Sequence, residues 1–214
     1  MCRFESLGHS CDFGLVQREL GMEPLGLLRF TGISTHDAFL GLIDRFAGIG
    51  DRAAIHPRVV EGLNEYWIDE LNYGLHYHTF IPPDKATPDQ LIAREMSRLP
   101  FLARKLLEDL QLGEKIFLLR RPEAMKVSEA IAMWTAINTY GPNSLLFLEQ
   151  EGGGEPGMVV QLGPRFLRGY IDGVLGQVSP QVPTWLAVCA NAYEAIRLSN
   201  DREPGLPRGL GSSG

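Results

Sequence analysis

Cysteine is scarce in this chain. Its 214 residues include three, Cys2, Cys11 and Cys189. The odd number, the wide spacing and the absence of any C-x-x-C pair argue against a disulfide framework or a four-cysteine zinc site. Long apolar runs are also missing. The longest, such as SLLFLE, are far too short to span a bilayer. Lys and Arg form no long basic run and the net charge is −6, so broad electrostatic binding to nucleic acid or to an anionic membrane is disfavoured. Neither G-x-G-x-x-G after a strand nor G-x-x-x-x-G-K-[ST] occurs, which leaves nucleotide binding without a motif. No cofactor is expected. The opening MCRFESLGHSC has one basic residue and no apolar stretch of signal-peptide length. That predicts a cytoplasmic protein, or a piece cut from a longer one.

A hydrophobic fraction of 44% suffices for a sizeable core. The length suits one domain, predicted over residues 1–199, with 200–214 (DREPGLPRGLGSSG from 201) as a disordered tail or linker. A short helix is expected over 11–20, ending at Gly21, and a second over about 35–46, capped by Ser34 or Thr35. Residues 58–81 alternate and predict two strands joined near Glu70 to Tyr73. Thr87-Pro88 starts a helix that Pro100 is expected to interrupt. Strands are expected at KIFLLR, LLFLE, MVVQL and RFLRGYI, and helices at 123–139 and 184–198. In the first of these two helices Val127, Ile131 and Trp134 form the predicted apolar stripe. Helices first, then strands mixed with helices, fit an α+β fold better than a regular βαβ array.

Helical phase separates the cysteines. Phe13, Val16 and Leu20 share one side of the first helix, and Cys11 falls nearly opposite, beside Gly14 and Arg18. Cys189 keeps company with Trp185, Val188, Ala192 and Ile196, an ordinary core position for a small hydrophobe. With Ser10 as N-cap, Cys11 lies in the first turn, where unpaired N–H groups and the helix dipole favour a thiolate. Asp12 opposes this. Gly14 weakens the helix, and close approach of another backbone or a substrate would explain it. Cys11 is thus a candidate reactive thiol; the alternative is a cysteine buried between two layers.

A thiol nucleophile needs a base brought near in space. His9, His36 and His56 are candidates in loops or at a helix start. His76 and His78 lie in LNYGLHYHTF, where Leu71, Tyr73, Leu75 and Tyr77 take one face and the two histidines the other. That second face is either a site or simply solvated. Together with Cys11, His76 and His78 also offer three zinc ligands, though no fourth stands at a short spacing.

The segment FESLGHSCDFGLVQRELGMEPLGLLRF resembles the opening of a family of uncharacterised bacterial proteins described as papain-like cysteine peptidases. The family shows Ser-Leu-Gly-x-Asn-Cys opening a helix and later His-x-Phe on a strand. Here these read Ser6-Leu7-Gly8-His9-Ser10-Cys11 and His78-Thr79-Phe80. YHTFIPP, LARKLLEDL, EKIFLLRR, YGPNSLLFL and LRGYID extend the likeness over about residues 4–195. The resemblance implies a papain-like fold, with the cysteine-bearing N-terminal helix packed on a mostly antiparallel sheet with flanking helices. It implies Cys11 as nucleophile and His78 as base, with an oxyanion held by the Cys11 N–H and one further donor. Ser10 stands where the family has asparagine.

A thiol hydrolase or acyltransferase acting on a peptide or amide is therefore expected. The family's association with glycosyltransferase-like proteins points to surface-glycan pathways. The orienting group is expected on the strand after the histidine, IFLLR, which offers none; Asn143 and Glu149 lie around the next strand. The alternative function is a non-catalytic module that binds a glycan or a protein, with aromatics between Tyr66 and Tyr77 as its platform.

Overall fold

The computed structural model describes residues 1–121, 126–150, 153–172 and 181–202. The elements run β1 (Phe4–Ser6), α1 (Asp12–Glu19), β2 (Thr31–Gly32), α2 (Thr35–Ile43), β3 (Ile55–Val60), β4 (Glu65–Glu70) and β5 (Leu75–His78). After these come α3 (Pro88–Leu112), β6 (Ile116–Arg120), α4 (Val127–Asn138), β7 (Ser144–Gln150), β8 (Val159–Gly163), β9 (Phe166–Ile171) and α5 (Val182–Arg202). The fold mixes α and β, as an α+β reading requires. No helix among the described residues is long and apolar enough to cross a membrane. Helix α5 runs to Arg202, into the segment expected to be a tail, and 203–214 lies outside the described residues.

Two sheets form. One has the order β1-β6-β7-β9-β8, with β1, β6, β7 and β9 parallel and β8 antiparallel at the edge. The other is antiparallel, β2-β5-β4-β3. The sheet under α1 thus differs from expectation. Phe13 and Val16 of α1 pack with Ile116, Leu118, Leu146 and Leu148 of the mainly parallel sheet. The cause is visible in β6, whose five residues are all buried. A strand covered on both faces reads as a continuous apolar run, which is the mark of a parallel sheet. On the opposite face, Phe117, Leu119, Leu145 and Phe147 meet residues of α3, α4 and the antiparallel sheet, including Ile68, Leu75 and Tyr77.

Helix α3 does not stop at Pro100. Its start is fixed by a capping box, in which Gln90 N–H donates to Thr87 Oγ1 at 3.3 Å and Thr87 N–H to Gln90 Oε1 at 2.8 Å. Its end is Gly113, at φ +65°. Leu91, Leu99, Leu102, Leu106 and Leu110 stay buried along one side, before and after the proline. That continuous stripe outweighs the one missing N–H, a loss of about 3 kcal/mol. In α4 the buried side is Ala130, Met133, Ala136 and Ile137. Val127 and Ile131 are exposed, so the expected stripe is wrong. Of the expected stripe only Trp134, half-buried against the core, turns inward. Cys189 is buried with Trp185, Val188, Ala192 and Ile196, as helical phase predicts.

Candidate functional site

The hairpin β4–β5 carries the histidines. Its turn covers Leu71 to Gly74, where Gly74 takes φ +61° and Tyr73 N–H donates to Glu70 Oε2 at 3.0 Å. Leu75 and Tyr77 are buried, His76 is exposed and His78 is half-buried, so the alternation holds. Trp67 pairs with His78 across the ladder, and its indole lies 4.0 Å from the His78 ring and parallel to His76. The His76 ring covers Gly32, where a Cβ would come within 2.0 Å of Nε2.

Behind His78 stands a group the sequence did not reveal. Glu65, buried at the start of β4, hydrogen-bonds His78 Nδ1 through Oε1. The same Oε1 accepts from Trp67 Nε1 at 3.2 Å, and Oε2 accepts from Phe80 N–H at 3.1 Å. A carboxylate on Nδ1 fixes the ring and leaves Nε2 as the basic nitrogen. Phe80 is held at φ +56°, a conformation bulky residues rarely adopt, and its ring stacks on His78 at 5.5 Å. The Glu65 bond to its N–H holds that turn in place. Asn143 and Glu149 serve elsewhere. Asn143 is fully buried and donates to the carbonyls of Leu110 and Ile137, and Glu149 lies 3.7 Å from Arg168.

Cys11 is the N-cap of α1 rather than part of its first turn, and its carbonyl accepts from Leu15 N–H at 2.9 Å. Phe13 and Val16 face the core, and Cys11 is half-buried on the other side, as expected. One turn along, a Cβ on Gly14 would meet the Arg29 carbonyl at 2.5 Å and the Phe30 ring at 2.7 Å. The bare glycine lets the 24–30 connection lie against the helix. Two turns along, the Arg18 guanidinium sits 4.6 Å from the Phe30 ring centre and 5.3 Å from that of Phe80. Arg18 and Phe80 thus link this side of α1 to His78.

The thiol itself departs from expectation. Burial pushes its pKa above the ordinary cysteine value, and the Asp12 carboxylate pushes it further, against a smaller opposing effect of its own N–H. The helix terminus does not outweigh these two causes. No hydrogen bond joins Cys11 to His78, whose Nδ1 is taken by Glu65. Beneath the thiol, Asp12 and Arg120 form a fully buried ion pair at 2.7 Å.

A cleft of about 400 Å³ opens beside the histidine. Arg18, Phe30, His78, Phe80, Arg94 and Arg98 are among its walls, and Cys11 is not. The remaining histidines lie elsewhere. His36 is exposed on α2, His56 Nε2 lies 3.0 Å from the Ala53 carbonyl, and His9 is half-buried with φ +78°. Among the described residues no three His, Cys, Asp or Glu side chains are placed to hold a metal ion, so Cys11, His76 and His78 do not form the three-ligand zinc set. Tyr66, Tyr73 and Tyr77 are buried, which removes them from the aromatic platform and leaves Trp67.

Comparison with family models, curated proteins and solved structures finds no match to this chain.

Proposed function

We propose that the protein is a thiol hydrolase or acyltransferase of papain-like type, with Cys11 as nucleophile and His78 as base. The observation that carries the reading is the Glu65–His78 hydrogen bond, which supplies the orienting partner that a Cys–His pair needs. In this scheme His78 Nε2 takes the thiol proton, directly or through one water, as Cys11 Sγ bonds to a peptide or amide carbonyl carbon. The tetrahedral oxyanion is met by the Cys11 N–H and one further donor. It collapses to a thioester as the C–N bond breaks, and His78 returns the proton to the leaving amine. Water, or an acceptor amine or alcohol, then attacks the thioester; His78 takes its proton and gives it back to the departing thiolate. A raised thiol pKa suits this scheme, because the base is then required. The sequence resemblance supports the same pair, and with it a role in a surface-glycan pathway beside glycosyltransferase-like proteins; the opening without a signal-like apolar stretch supports a cytoplasmic place.

A second reading, a non-catalytic binding module, is favoured by two observations: the thiol is not hydrogen-bonded to His78, and Cys11 is not among the walls of the cleft beside that histidine. p-Nitrophenyl acetate separates the two. The thiol enzyme releases nitrophenolate in a burst and carries an acetyl group on Cys11, located by peptide mass mapping. Cys11→Ser loses the adduct, and His78→Ala slows its formation about 10²–10⁴-fold. Equal acetylation of Cys11 with and without His78 would sink the Cys–His pair.

A further inference from the structure

The cleft beside His78 is cationic in a protein whose net charge is −6. Arg18, Arg29, Arg94 and Arg98 line it, with Glu23 the one acidic residue in its walls. Arg29 is fully spent. Its five donors go to Glu23, Gln17 and the carbonyls of Gly14, Met22 and Pro24. The other three are not. Arg18 uses Nε on Glu23 at 2.8 Å and is 43% exposed. Arg94 and Arg98, one turn apart on α3, are held from below by Glu95, which is fully buried. Glu95 Oε1 accepts from Arg94 Nε at 2.8 Å, and Oε2 accepts from Arg98 Nη1 at 2.9 Å and from the Tyr77 hydroxyl at 2.7 Å. One carboxylate therefore positions two guanidiniums and neutralises half their charge. Arg98 keeps Nε and Nη2, and Arg18 its two terminal nitrogens, for something outside the protein. Glu65, the next carboxylate, is engaged by His78.

We propose that this cleft is an anion subsite, taking a carboxylate or phosphate group of the ligand between Arg18 and the Arg94–Arg98 pair, with the ligand's reacting part toward His78. Forked N–H donors on a rigid, pre-positioned guanidinium suit either group. In calling the ligand the enzyme's substrate, the proposal rests on the thiol reading; the binding itself requires no thiol.

The experiment titrates the full chain with inorganic phosphate and, separately, with succinate at constant ionic strength, following the His78 ring resonance by NMR and the melting temperature. A saturable change with at least one probe is expected: phosphate alone marks a phosphoryl ligand, succinate alone a carboxylate. Arg18→Gln should weaken binding about tenfold or more, the loss of one charge-assisted hydrogen bond. R94Q/E95Q/R98Q, which leaves no buried carboxylate stranded, should abolish it. Cys11→Ser should bind as the wild type does. Saturation by neither probe, or an unchanged dissociation constant in Arg18→Gln, overturns the subsite. Failure of p-nitrophenyl acetate to acylate Cys11 overturns the thiol reading and leaves this binding result standing.

Discussion

The histidine side and the cysteine side of the candidate site are built on opposite plans. His78 sits on a hairpin, half-open to a cleft, and one buried carboxylate fixes its tautomer. Cys11 sits half-buried at a helix start, next to Asp12 of a buried ion pair, and burial pushes its thiol pKa up. One side is a ring fixed by a polar network, the other a thiol half-buried at a helix end. The contrast teaches that, under the thiol-enzyme reading proposed above, activation has to come from His78, because burial and Asp12 raise the thiol's pKa.

The contrast can be broken most forcefully from the cysteine side. Arg120→Met removes the guanidinium paired with buried Asp12 and should destabilise the fold by about 3–5 kcal/mol, read as a fall in the denaturant midpoint. On the histidine side, Glu65→Gln keeps the shape but removes the charge on Nδ1. It should lower the acylation rate about 10–100-fold, while the circular dichroism spectrum stays unchanged. The thiol's pH behaviour sharpens the comparison further. A pKa raised by burial and by Asp12 moves deprotonation upward, so at pH 7 less thiolate is present and alkylation is slower. Iodoacetamide labelling, with exposed Cys2 as the internal reference, should show Cys11 reacting more slowly near neutrality and gaining rate at higher pH than an ordinary cysteine. Faster labelling of Cys11 than of Cys2 at pH 7 would contradict the sheltered-thiol description. The smallest effect belongs to His76→Ala. This exposed ring should change stability by under about 0.5 kcal/mol and leave the acetyl adduct on Cys11 in place, which assigns the base to His78.

Much of this was legible in the sequence where a short-range period governs. Period two assigned His76 and His78 to the face opposite Leu75 and Tyr77, and the helical period turned Cys11 away from Phe13 and Val16. Glu65 escaped because it is 13 residues from His78 and meets it only through the register of the hairpin. With the turn at 71–74 fixed, that register sets Trp67 against His78 and brings Glu65 alongside, from the strand before the histidine and not from the one after it. The parallel sheet escaped because its pairs span long stretches of chain. Pro100 misled because a tertiary stripe of leucines carries α3 across it. The Val127, Ile131 and Trp134 stripe misled because α4 buries its alanines instead. For the thiol, proximity to a helix terminus was readable, but the depth of burial that reverses its effect was not.

Strand β1 pairs only with β6, so Phe4 meets Ile116 and Ser6 meets Leu118. The hairpin that bears His78 closes over a handful of residues, but β1, which leads into Cys11, finds its strand partner only when chain more than a hundred residues later has arrived. Local closure is fast, and distant closure waits on the rest of the fold. The His78 hairpin therefore closes early, and the pairing of β1 comes late. During synthesis the hairpin, complete at His78, precedes the completion of β6 at Arg120. Placement of the segment leading into Cys11 is thereby tied to completion of the parallel sheet, and a chain released before residue 116 lacks the strand that pairs with β1.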